Sequence, residues 1–559
     1  MYFHIYIIIG ILLIILSAIL YNTYSKKKYL KSLNETFGDS PKDFLDDFDM
    51  SFLKHYYKLR KDNEPFNESI DELTWNDLDM DIVFKRLNYT KTTLGESYLY
   101  YKLREINYNK SDWKIIEKLS NVFTNNEKLR NEITLLLQSI GKLNDFNLTN
   151  FIYNPTFVKI KGYLKYPILT LALVFSAALS FIYPKIGLPL SFIFLCTNIL
   201  IYQSAKVFLD DKFKPMTYLL SNINLCRKLT KIKSEDFSFF RDIIKTNLNP
   251  IKDLNKVRFY SSSFKKKTPS FTDIDIINDY IKMIFMVDII SYENSAKFLE
   301  KNKDNLFQVY DLVAKLDFAL NLAYYRKSLS QYVLPEFTPR DDIELENLYH
   351  PLIKNPVKNS IIINDNLLFT GSNASGKSAF IKAIALNCIL AQSLNTALCS
   401  KYKCRFSKII TSMAIKDNIL SGDSYFMAEI KSLKRLLDSL NGNLPVLAFI
   451  DEILKGTNTL ERISASASIL NYGKTTNAKL LVATHDMELT KILSGYTNYH
   501  FSEKVTEDGV TFDYKLKKGP SKTRNALRLL KTLNFHDDIV SRANSIYQDF
   551  LTTEKWTKL

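Results

Sequence analysis

Residues 361–392 read IIINDNLLFTGSNASGKSAFIKAIALNCILAQ. A β-branched apolar run leads into a Gly-rich turn, and a helix with apolar periodicity follows. That context is what G-x-x-x-x-G-K-[ST] requires to serve as a phosphate-binding loop. Gly371 and Gly376 permit the tight backbone that points amides at phosphates, Lys377 can reach the β and γ phosphates of ATP, and Ser378 offers a hydroxyl to Mg²⁺. The expected fold is therefore an α/β P-loop ATPase domain.

Downstream, NLPVLAFIDEILKGTNT (443–459) is a second apolar strand and ends in two acids. Asp451 is placed to hold Mg²⁺ through its water shell and Glu452 to polarise the attacking water. A third strand, AKLLVATHD (478–486), ends at His485, positioned to sense the γ-phosphate. Between the loop and the acids lies ILSGDSYFMAEI (419–430), whose Leu420, Ser421 and Gly422 spell the opening of a transporter signature.

Composition sets the bounds. A chain of 559 residues implies three or four structural units, and 46% hydrophobic with 24% charged content excludes global disorder. The net charge of +16 favours a polyanionic partner, nucleic acid or an anionic membrane surface, unless it only reflects genome composition. Five cysteines, with no C-x-x-C pair, read as reduced structural thiols.

Apolar segments predict membrane contact. YFHIYIIIGILLIILSAILY (2–21) has no charged side chain and the length of a spanning helix, and Lys26, Lys27 and Lys28 follow it. The positive-inside rule then puts the N-terminus outside. Residues 167–202 form two apolar arms around PKIGLP (184–189), with Lys159, Lys161 and Lys165 before and Lys206, Lys212 and Lys214 after. The expectation is three transmembrane helices in the inner (cytoplasmic) membrane, with a multi-pass lipid-embedded chain and a cytoplasmic ATPase. A hairpin buried in a soluble core is the alternative.

From Tyr349 to about Leu551 the motifs together resemble the ATPase domain of the MutS family of DNA mismatch-repair proteins. HPLI (350–353), TGSNASGKS (370–378), SGDSYFMAEI (421–430), DEILKGTNT (451–459) and ATHDMEL (483–489) follow the family's order. The resemblance implies an ABC-like, MutS-type fold at the end of an all-α core with lever helices. It implies ATP contacts from Gly371, Asn373, Ser375, Gly376, Lys377 and Ser378, Mg²⁺ held by Ser378 and Asp451, and adenine between Val357 and Tyr514. It also implies that Ser424 reaches the γ-phosphate bound by the opposite subunit, so that a homodimer shares its active sites. Ser372, Ser375 and Leu454 depart from the family's proline and glycines, yet every catalytic group is kept.

More weakly, residues 73–104 resemble the start of the family's helical core and 208–338 its returning levers. The resulting order is an anchor (1–21), a linker (22–71), core (72–160), membrane hairpin (161–207), core and levers (208–340), ATPase (341–520) and a helical dimerisation element (521–559). The stretch before the core is too short for a mismatch-reading wedge, and Phe66 and Glu68 spell its Phe-x-Glu only by chance. Arg258, Lys265, Lys266 and Lys267, interleaved with Tyr260 and Phe264, could contact a DNA backbone or anionic lipid. The leading expectation is a membrane-anchored ATPase acting on DNA. The alternatives are the same engine serving a membrane task, or a transporter.

Overall fold

A computed structural model describes residues 20–558 apart from 21–22, 26, 42–48, 64–67, 107–109, 144–145, 154–159, 161, 258–279, 340–341, 373–374, 414–424, 443, 507–508, 522–529, 531–534, 554 and 557. The chain divides into two compact units. One comprises residues 1–65, 87–101 and 109–328; the other comprises 66–86, 102–108 and 329–559. This division cuts across the stretch 72–160.

The first unit is helical. Two helices, Lys165–Ile182 and Pro184–Leu229, form the expected hairpin, and Pro184 at the start of the second suits a position whose amide needs no partner. The second helix runs on for 46 residues, about 70 Å at 1.5 Å per residue, from the apolar arm into the unit's core. Residues 165–182 and 184–207 are long and apolar enough to cross a membrane, so the described residues contain two such helices rather than three. The expected first span, but for Leu20, lies outside the described residues. Most apolar side chains of the hairpin face outward, with Phe175 72% and Phe181 90% exposed.

Buried polar groups hold this unit's centre. The helix Thr93–Arg104 begins on the carboxylate of Asp317, which accepts hydrogen bonds from the amides of Lys91 and Thr92 (3.0 and 2.7 Å) and from Thr92 Oγ1 (2.6 Å). The Thr93 amide donates to the Tyr218 hydroxyl at 2.8 Å. Gly95 is required here because an added Cβ would stand 2.6 Å from Asp317 Cβ and closer still to its carboxylate. In the stretch read as a linker, the helix Ser51–Asn63 is packed: Arg60 pairs with Asp311 at 3.2 Å and lies 4.1 Å from the centre of the Tyr101 ring.

The second unit is α/β. Its main sheet contains β1 (Asn366–Thr370), β2 (Lys408–Ser412), β3 (Val446–Asp451), β4 (Ala478–Ala483), β5 (Tyr496–His500) and β6 (Lys517–Lys518). The spatial order is β6-β5-β1-β4-β3-β2, parallel except for the edge strand β6. Every residue of β1 and all but Asp451 of β3 are buried, the continuous apolar pattern of a parallel sheet covered on both faces. The helices α1 (Lys377–Leu394), α2 (Tyr425–Ser439) and α3 (Thr459–Lys474) connect its strands. Residues 66–86 join this unit because Asp77 is drawn into it: its Oδ2 accepts from Thr411 Oγ1 (2.6 Å) and the Met413 amide (3.0 Å). A four-stranded sheet of Glu336–Phe337, Lys401–Cys404, Ile343–Leu348 and Asn359–Ile363, in that spatial order, completes the unit. None of the five cysteines forms a disulfide.

Candidate functional site

Strand order assembles the site. β1, β4 and β3 are neighbours, so the segments leaving their carboxyl ends lie side by side, where ligands of open parallel sheets bind. Two hydrogen bonds extend the ladder past the strands: Thr484 N to Phe369 O and Glu452 N to Ala483 O, both 2.9 Å.

After β1 the backbone turns on Gly371 (φ 139°) and Gly376 (φ 100°), conformations that glycine adopts without strain. A Cβ on Gly371 would stand 2.6 Å from the Phe501 carbonyl. Lys377, the first residue of α1, is buried, and its Nζ donates to the carbonyls of Gly371 (2.6 Å) and Ser372 (2.8 Å). Burial pulls the Lys377 ammonium down to about 8 against the opposing pull of Glu452, Asp451 and Glu503. Ser375 is also buried, and its Oγ donates to Ser372 O at 2.7 Å. Ser378 is the second residue of α1. Asn373 lies outside the described residues.

At the end of β3, Asp451 Oδ1 is buried without a hydrogen-bond partner. An orphaned carboxylate oxygen beside a helix N-terminus suits the ligand shell of a hard cation. Glu452 follows with φ 62°, and its carboxylate is held twice: Oε1 is 2.5 Å from His485 Nε2 and Oε2 is 2.8 Å from Lys455 Nζ. Burial would raise the Glu452 carboxyl, but the hydrogen bonds from His485 and Lys455 prevail and hold it down to about 2. The other ring nitrogen of His485, Nδ1, is 3.0 Å from Gly371 O, so one imidazole bridges the acid and the loop. Arg462 braces the same strand end through two bonds to Asp486, 2.7 and 3.0 Å.

A family model described as MutS domain V matches residues 367–551, the segment that carries all of these groups. Proteins described as DNA mismatch repair protein MutS are similar over more of the chain. That of Finegoldia magna is 28% identical over 340 residues, covering 58% of this chain and 39% of its own length. That of Clostridium botulinum (strain Hall) is 27% identical over 340 residues, and that of Clostridium kluyveri is 27% identical over 381.

The chain carries a MutS domain V at residues 367–551.

It spans between 35% and 42% of the length of these three relatives. Leu454, which replaces a glycine of the MutS pattern, sits at φ 56° in the left-handed region, a strained place for a γ-branched side chain, and offsets this by burying it in the cluster of Ile450, Ile453 and Leu470. Tyr514 lies against the loop, where a Cβ on Gly376 would stand 3.0 Å from its Cδ1. Val357 is exposed two residues before Asn359, whose Nδ2 donates to Tyr514 O at 2.9 Å, so the segments that carry the two expected adenine residues are neighbours. Ser424 and the basic residues Arg258, Lys265, Lys266 and Lys267 lie outside the described residues. Phe66 does too, whereas Glu68 pairs with Lys408 at 3.0 Å.

Three participants escape the motif reading. Lys455 stands inside a quoted motif, but nothing in its spacing marks it as a partner of Glu452. Glu503 accepts from Ser372 Oγ at 2.8 Å, and it comes from a distant segment with no motif of its own. Glu429, on α2, lies inside the quoted 421–430 motif, which gave it no role; it accepts from the Lys455 amide at 3.1 Å.

Proposed function

We propose that this chain, which carries a MutS domain V, binds and hydrolyses ATP at a dimer interface, is anchored in a membrane, and acts on DNA. The observation that carries the ATPase reading is the bridge from Glu452 through His485 to the Gly371 carbonyl beside Lys377. It joins an acid fit to orient water, a group fit to sense the γ-phosphate, and the phosphate loop in one connected set.

In this reading Lys377 exchanges its carbonyl partners for the β and γ phosphates, and the amides at the start of α1 receive the same charge. Asp451 and Ser378 hold Mg²⁺, which when bound offsets phosphate charge. Glu452, occupied by two cationic-side partners, becomes an effective base for water when nucleotide draws His485 and Lys455 away. Tyr514 offers an aromatic face and Val357 an apolar contact to adenine.

Ser424 supplies the opposite subunit's nucleotide with a hydroxyl. The helix Asp537–Thr553 buries only Val540 among its described side chains, as suits an element that awaits a second copy. The two apolar helices with outward side chains support a membrane seat for the hairpin, and the flanking lysines put the ATPase on the cytoplasmic face.

The test uses the full chain in detergent. Glu452→Gln should abolish turnover and Ser424→Ala depress it, both with nucleotide binding intact; undiminished hydrolysis in Glu452→Gln would refute the assignment. Fluorescence anisotropy with duplex, mismatched and branched DNA should show binding that weakens steeply with salt through the 258–267 cations. The exposed hairpin favours a second reading, the same ATPase engine remodelling a membrane partner. Absence of binding to every DNA form selects it. Deleting residues 1–28 and 166–203 should release the chain from membranes.

A further inference from the structure

The loop that carries Glu452 is conformationally demanding. Glu452 and Leu454 both take positive φ, 62° and 56°, which side chains other than glycine adopt only when their surroundings impose it. What imposes it comes largely from α2. Glu429, four residues into that helix and 4% exposed, accepts the Lys455 amide at 3.1 Å through Oε1. One turn earlier, Phe426 packs on the cluster that contains Ile453 and Leu454, and a Cβ on Gly456 would stand 3.3 Å from Phe426 Cβ. The first turn of α2 thus holds residues 453–456 by a polar and an apolar contact at once. Lys455, whose amide is held, is also the residue whose ammonium holds Glu452 at 2.8 Å.

We propose that Glu429 is a positioning residue for hydrolysis. By fixing the Lys455 amide to α2 it sets where the Glu452 carboxylate points. The inference rests on the ATPase reading given above.

The experiment measures kcat, KM and nucleotide affinity of the full chain with ATP. Glu429→Ala removes the acceptor and should lower kcat by about tenfold while KM and affinity stay within about twofold; Glu429→Gln, which keeps an accepting oxygen, should recover most of the rate. Unchanged kcat in Glu429→Ala overturns the inference. So does a parallel loss of affinity, or a failure of Gln to restore turnover, since a merely structural role gives those results. If Glu429→Ala does not fold, Gly456→Ala probes the same contact through Phe426 and should lower kcat by about threefold with affinity unchanged; full turnover there overturns the inference. A wild-type chain that fails to hydrolyse ATP defeats the function itself. Normal wild-type turnover with an inert Glu429 defeats only the positioning role.

Discussion

Raising the pH should weaken ATP binding through Lys377 alone. In the ligand-free protein its ammonium, ordinarily at 10.5, is brought down to about 8 by burial. About nine-tenths of the molecules therefore carry the charge at pH 7 and about one-tenth at pH 9. If the charged form is the one that takes the β and γ phosphates, affinity falls by up to about tenfold across that interval. Bound phosphate restores the proton, so binding at pH 8 takes up about half a proton per ATP. Stability of the free protein has the opposite sign: between about 8 and 10.5 the unfolded chain binds more protons, so stability rises with pH while affinity drops. Calorimetric titrations at pH 7, 8 and 9, repeated in buffers of different ionisation heat, measure both affinity and proton uptake. Lys377→Met should bind weakly with no such pH dependence. Equal wild-type affinity at pH 7 and 9, with no proton uptake at pH 8, would refute the burial argument.

Other consequences follow from individual contacts. Gly95→Ala gains about 1 kcal/mol of helix propensity but drives a methyl into the Asp317 carboxylate, so loss of its hydrogen bonds, about 2 to 4 kcal/mol, should prevail and lower the thermal midpoint; an unchanged or raised midpoint contradicts the packing. Tyr514→Ala should raise KM for ATP several-fold while Tyr514→Phe leaves it near wild type, read by steady-state kinetics, because only the ring face is invoked. Lys455→Ala removes one of the two restraints on Glu452 and should raise its carboxyl from about 2 toward the ordinary value of 4.5, so that less stability is lost as the pH falls through that window, as followed by acid unfolding.

Local order in the chain was enough for the phosphate loop, the acidic pair, the His485 strand end and the apolar hairpin. Each is a short run in which spacing along one strand, turn or helix carries the chemistry, and no distant residue is needed to recognise it. Leu454 was legible as a departure from the MutS pattern, but only its φ of 56° and its burial explain how the loop tolerates it. Residues 72–160 could not be divided from sequence, since nothing local says that Asp77 will accept from Thr411, more than three hundred positions away.

By itself, then, the sequence marked the Gly-rich loop, the acidic pair and the apolar hairpin. Tertiary structure decided which of them meet each other. The order β1-β4-β3 sets Gly371, His485 and Glu452 on adjacent strand ends although they lie far apart in the chain, and the parallel register holds them there. Lys455, Glu503 and Glu429 joined the site only through packing, because a hydrogen bond depends on where two segments come to rest rather than on the residues that flank either one.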